Sequence, residues 1–291
     1  MTSLSKNAAR IEAFRQGLRE LGYVEGKNII IEWRSAEGKR DRLPALAAAL
    51  VGLNVDIIVS AGGSVTRPLK EATRTIPIVM AQDNDPVASG HIASLARPGG
   101  NITGLSTVAA ELSGKRLEIL KEIVPRLARV AVLGNSNEPA NSKRLREIEL
   151  AAGELKLKPQ YLDVLDPKDI ESAFSAATKA SADAVLVLGS PVLNSHRKQL
   201  IELAVKSRLP AMYPWSKIVG EGGLMTYSAI RTDLFRRAAS YVDKILRGAK
   251  PAELPVEQPT KFELLINLKT AKQIGLTIPP SILYRADKVI K

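Results

Sequence analysis

Short β-rich runs alternate with longer helical stretches along nearly the whole chain, and this alternation leaves few folds open. Strands are predicted near residues 29–33, 56–60, 76–81, 102–105, 130–134, 160–164, 184–188, 211–213, 224–227 and 262–266. Helices are predicted near 8–21, 43–53, 65–74, 113–124, 140–155, 169–179, 193–207 and 234–247. Short strands joined by helices describe parallel βαβ units and hence an α/β fold with doubly wound sheets. In such sheets, ligands bind beyond the carboxyl ends of the strands.

The two halves repeat one order of elements. The second half begins with strand 130–134 and runs helix, strand, helix, strand, helix, strand. The first half shows the same series from helix 8–21 onward, without a strand ahead of it. A first strand normally sits near the centre of a doubly wound sheet, so the pattern predicts a further apolar strand upstream in the complete product. The halves connect more than once, through Gly99-Gly100, Gly222-Gly223 and the proline-rich stretch 251–259. That organisation predicts one lobe from residues 1–106 with 229–256 and another from 107–228 with 257–291, joined by a hinge.

With 291 residues the chain is long enough for two ordinary cores. No apolar run approaches the roughly 20 residues of a membrane helix, and the polar start MTSLSKNAAR has no signal-like apolar core, so direct membrane insertion is not expected. Cysteine is absent, which removes disulfides, thiolate metal sites and cysteine nucleophiles. The formal charge of +12 raises the question of nucleic acid, but the basic residues are spread over many helices among acidic ones. With aromatics at 4% there are too few rings for a base-stacking platform, so a solvated basic surface is the expectation.

The residues carry little catalytic chemistry. His91 and His196 are the only histidines, they lie in different halves, and neither falls in a metal-ligand spacing. Each is expected to be a surface or capping residue. Ser106 and Ser113 have no histidine nearby, and no nucleophile elbow or dinucleotide fingerprint occurs. No enzyme, metal or cofactor is expected.

Four long stretches carry a resemblance: EAFRQGLRELGYVEGKNIIIEWR (12–34), DPVASGHIASLARPGGNITGLS (85–106), LSGKRLEILKEIVP (112–125) and LPVEQPTKFELLINLKTAKQIGLTIPPSIL (254–283). Together they resemble a bacterial family of ABC-importer substrate-binding proteins that includes tryptophan and phenylalanine binders. The resemblance implies a type I periplasmic binding-protein fold, with two α/β lobes, three crossovers and a small solute held in the cleft by hinge closure. It also implies a carboxylate-bearing solute such as an amino acid or aromatic acid, a membrane permease as partner, and a periplasmic or lipid-anchored location. Members usually open with an apolar strand ahead of the first helix, which this sequence does not show. Two alternatives stay open, a ligand-sensing regulator on the same fold and an α/β transferase.

Candidate site residues follow from strand ends. Gly62, Gly63 and Ser64 link a strand to a helix, where free N–H groups suit a ligand carboxylate; the plainer reading is a βα turn with Ser64 as cap. Asp83 and Asp85 follow strand 76–81 and offer carboxylates to a ligand ammonium. Asp85 is preferred because the resemblance keeps the Asp-Pro pair, although it equally suits the cap of a short helix. In the second lobe Asn135, Ser136 and Ser190 offer neutral hydrogen bonds, and Tyr213 and Trp215 offer an apolar wall for a ring, with Tyr227 a weaker candidate.

Overall fold

The computed structural model describes residues 8–37, 39–107 and 110–291; the polar start 1–7 lies outside them. In chain order the elements are α1 (Ala8–Glu20), α2 (Leu43–Gly52), β1 (Ile58–Ala61), α3 (Gly63–Ala72), β2 (Ile78–Asp83), β3 (Ile102–Ser106), α4 (Glu111–Ile123), β4 (Arg129–Gly134), α5 (Asn141–Glu154), β5 (Lys158–Asp163) and α6 (Asp169–Lys179). They continue as β6 (Ala184–Val187), α7 (Pro191–Ser195), α8 (Arg197–Lys206), β7 (Ala211–Tyr213), α9 (Lys217–Gly220), β8 (Met225–Ala229), α10 (Arg231–Leu246), β9 (Phe262–Asn267), α11 (Leu268–Gln273), α12 (Pro280–Arg285) and β10 (Lys288–Ile290). They fall into two compact units, Met1–Val108 with Ile230–Lys261 and Ala109–Ala229 with Phe262–Lys291.

The first unit is built on a parallel sheet in the order β1-β2-β3. Ile78, Val79, Met80 and Ala81 of the central strand are all fully buried, which explains an apolar run without alternation: a strand covered on both faces needs apolar side chains on both. Val79, Ala81 and Leu105 pack under α1 and α10, against Phe14, Leu18, Leu234 and Ala238. Ile58, Ile78, Met80 and Ile102 face the other way, onto Ala47 of α2 and Leu69 of α3. Each Val, Leu, Ile, Met or Phe side chain among them contributes about 1.5–3 kcal/mol when fully buried, and each alanine less. Gly104 of β3 allows the close approach of the two strands, because a Cβ there would lie 2.2 Å from the Met80 carbonyl oxygen.

The second unit holds a seven-stranded sheet in the order β10-β9-β8-β7-β6-β4-β5. All pairs are parallel except β8 with β9, where the chain re-enters the sheet in the opposite direction. Val130, Val132, Leu186 and Met225 form one core with Leu117 and Leu120 of α4 and Ile148 of α5. Ala131, Leu133, Val185 and Val187 form the other with Phe174 of α6 and Leu200 of α8. The strand order reverses between β4 and β6, which is where an open α/β sheet leaves a crevice for ligands.

Several predicted elements differ. Residues 29–33 form no strand: apart from a single bridge between Glu25 and Ile29, they pair with no strand among the described residues. Ile29, Ile31 and Trp33 still pack against the first core while Ile30 is 83% exposed, so the alternation was real but a ladder partner was missing. The predicted helix 193–207 breaks at His196 into α7 and α8. The stretch after Asp85 forms turns, not a short helix. The closing strand β10 went unread because it is short and half-buried.

Candidate functional site

In the first unit the chain leaves β1 at Ala61 and enters α3 at Gly63 through Gly62, whose backbone (φ 117°, ψ 152°) is open to glycine and strained for other residues. Gly62, not Ser64, is the N-cap, and it brings no side chain to bond the first N–H groups of the helix. The N–H groups of Gly63 and Ser64 precede the first intrahelical acceptor and carry the positive end of the helix dipole. The turn is held from below: the Ser60 and Thr66 hydroxyls, both fully buried, hydrogen-bond at 2.8 Å, and the Val65 N–H donates to the Gly62 carbonyl at 2.8 Å. Ser64 is exposed.

Asp83 is the last residue of β2 and 1% exposed. Its carboxylate takes the Nδ1 hydrogen of His91 at 3.0 Å and the backbone N–H of Asp85 at 3.2 Å. His91 is therefore neither a surface nor a capping residue: it is buried and tied to Asp83, because the turns after Asp85 bring it back against the strand end. Asp85 is half-buried, and its carboxylate takes the Ala88 N–H at 3.0 Å, closing the first of these turns.

In the second unit β4 ends at Gly134, followed by Asn135, which is buried and accepts the Asn137 N–H at 2.9 Å. Ser136 is exposed and bonds twice to Asp163 at the end of the neighbouring strand, through its hydroxyl at 2.6 Å and its N–H at 2.9 Å. The Tyr161 hydroxyl donates to Asp163 at 3.0 Å and accepts from the Asn141 amide at 3.1 Å. Partial desolvation by its neighbours would push the exposed Asp163 carboxyl up; the hydrogen bonds from Ser136, Tyr161 and the Val164 N–H outweigh it and hold the group below its ordinary value. Desolvation, then the hydrogen bond to Asp163, push the Tyr161 hydroxyl up to about 12.

Arg144 of α5 is buried and reaches across to the Gly189 carbonyl at 2.7 Å, joining the start of that helix to the loop after β6. In that loop Ser190 is buried and caps α7, accepting the Leu193 N–H at 3.2 Å. Tyr213 does not stand at the rim as a wall. Its ring is 1% exposed within the core that also holds Val185 and Leu200, and burial pushes its hydroxyl well above the ordinary tyrosine value. Trp215, two residues past the end of β7, is 9% exposed and joins the same core at its edge. Tyr227 is half-buried and stacked on Phe262, with ring centroids 5.7 Å apart.

The strand ends thus bring together Gly62, Gly63, Ser64, Asp83 and Asp85 in the first unit. In the second, Asn135 and Ser136 follow β4 and Ser190 follows β6, while Tyr213 stays in the core. Tyr161, Asp163, Asn141 and Arg144 are not among the candidates read from the sequence, and His91 is read there as a surface or capping residue. Among the described residues no cluster of three or more potential metal ligands occurs. The chemistry offered is recognition: backbone donors at a helix start, carboxylates, amides and hydroxyls.

A family model for ABC transporter substrate binding proteins matches residues 5–290. The chain belongs to that family. A domain protein from Vibrio cholerae is similar at a TM-score of 0.87 and 28% identity, over 99% of this chain and 97% of that one. An ABC domain from Streptococcus pneumoniae, solved in complex with L-Trp, is similar at a TM-score of 0.87 and 26% identity, over 100% and 97%. A tyrosine-binding protein from Clostridioides difficile is 23% identical over 265 residues, which is 91% of this chain and 76% of that one. The substrate-binding family is a class of binding proteins, not of enzymes, and it typically works outside the cytoplasm. The fold is the α/β type I periplasmic binding-protein fold expected from the sequence. Among the described residues no helix is long and apolar enough to cross a membrane.

Proposed function

We propose that this substrate-binding protein is the receptor of an ABC importer, that it hands its solute to a membrane permease, and that the solute is an amino acid with an aromatic side chain. One observation carries the proposal: within the family that the chain belongs to, a domain similar over nearly its full length is solved in complex with L-Trp. The tyrosine-binding relative supports the same solute class.

The turn Gly62-Gly63-Ser64 takes the solute carboxylate, since the uncapped start of α3 favours an anion. Asp85 takes the ammonium, because the Asp83 carboxylate is already engaged by His91. Asn135, Ser136 and Ser190 line the second unit's rim and supply neutral hydrogen bonds. Trp215 supplies apolar contact, and Tyr213 supports it from the core. The protein acts outside the inner membrane, in the periplasm or held there by a lipid anchor.

A thermal-shift screen against L-tryptophan, L-tyrosine, L-phenylalanine and non-aromatic amino acids tests the solute class. Binding to the native state alone stabilises it by about 2.7 kcal/mol at a ligand concentration a hundred times Kd. A saturable rise with the aromatic set is expected; a rise only with aliphatic or acidic amino acids would overturn the aromatic assignment.

A further inference from the structure

The His91 and Asp83 side chains are 2% and 1% exposed, and the Nδ1–H of the imidazole donates to the carboxylate at 3.0 Å. Among the described residues Nε2 is buried and has no partner. A buried nitrogen left unpaired costs free energy, and a leucine would fill similar space without that cost, so packing alone does not account for an imidazole here. What the ring adds is the Nδ1 bond.

That bond lies where two loops meet. A Cβ on Gly63, the first residue of α3, would stand 3.0 Å from Asp83 Oδ2 and 3.3 Å from His91 Cε1, so the pair lies directly against the start of the helix. The other carboxylate oxygen holds the Asp85 N–H. The His91 N–H donates to the Pro86 carbonyl at 2.8 Å and closes the turns that carry Asp85. Lys70 of α3 donates to the Gly90 carbonyl, a second tie between that helix and these turns.

We propose that His91 is a positioning residue, which acts through Asp83 to lock the turns carrying Asp85 onto the start of α3. The two loops then present their groups as one preformed surface. In the receptor account, the carboxylate and ammonium contacts of the solute sit on these two loops. His91 sets their spacing without touching the solute.

The test compares His91→Leu, which loses the bond, with His91→Asn, whose amide nitrogen stands where Nδ1 stood. Amide hydrogen exchange of the ligand-free protein reports local opening. His91→Leu is expected to speed exchange at both 62–66 and 83–91, and His91→Asn to restore both. If His91→Leu fails to fold, His91→Gln replaces it, since its amide sits one atom too far out to reproduce the bond. Faster exchange confined to 83–91, or equal behaviour of the Asn variant and the variant lacking the bond, would overturn the proposal. A second arm uses L-tryptophan as probe and rests on the proposed function: an affinity loss of about tenfold on removing the bond, recovered in His91→Asn, is expected. Native protein that binds no aromatic amino acid would refute the solute assignment, while the exchange result still decides the role of His91.

Discussion

Ser136 and Asp163 meet through two hydrogen bonds, hydroxyl to Oδ2 at 2.6 Å and backbone N–H to Oδ1 at 2.9 Å, although 27 residues separate them. The parallel register of β4 and β5 puts Gly134 opposite Asp163, so the first turn after one strand lands on the last residue of the next. This pairing holds the loop after β4 against the end of β5.

Removing the Ser136 hydroxyl should weaken that pairing modestly. Because the Asp163 carboxyl is held below its ordinary value of 3.8, its contribution to stability is present above that value and is lost as pH falls through the folded value. Ser136→Ala should move the carboxyl back up and cost at most about 1 kcal/mol at neutral pH, since the pair is exposed. Denaturant midpoints at neutral and acidic pH, with a carbon NMR titration of the Asp163 carboxyl, check both effects. The difference between native and variant should shrink in acid.

At alkaline pH the same cluster responds through Tyr161. Its hydroxyl is raised from 10.0 to about 12 in the folded chain, so the stability it confers is complete below 10.0 and disappears as pH rises towards 12. Tyr161→Phe should lack this loss. A near-ultraviolet absorbance titration of the native protein minus the variant should show one late-ionising tyrosine.

Gly63→Ala tests the close contact in the first unit. The added methyl would press on the Asp83 carboxylate at 3.0 Å and on the His91 ring at 3.3 Å, and both are enclosed. Such overpacking costs about 1–3 kcal/mol. A lower denaturant midpoint and weaker solute binding are expected together. Ser64→Ala, at an exposed position, should leave stability within about 0.5 kcal/mol.

Much of the architecture could be read from periodicity, and the failures have physical causes. The buried run 78–81 and the strand 184–187 stand out because strands covered on both faces are apolar throughout. Alternation at 29–33 reports which side chains turn inward, but not whether a neighbouring strand offers hydrogen bonds. Gly62, Asp83, Asn135 and Ser190 stand at or just past strand ends, where βα turns place them. Strand ends did not reveal which side chains were already engaged. The pairing of His91 with Asp83 depends on turns that fold the chain back over eight residues, and that of Ser136 with Asp163 on strand register. Tyr213 looked like a wall because it ends a strand; the alternation of side chains along β7 sends its ring into the core instead.

The central claim is that this substrate-binding protein holds an aromatic amino acid by its carboxylate at the turn that opens α3. Isothermal titration calorimetry of the purified chain with L-tryptophan and L-tyrosine, set against tryptamine and tyramine, tests it most directly. Saturable one-to-one binding of the amino acids, with the amines at least about a hundredfold weaker, is the predicted result, since the amines lack the carboxylate and with it the charge-assisted contacts at the helix start. Amines that bind as tightly as the amino acids would contradict the account.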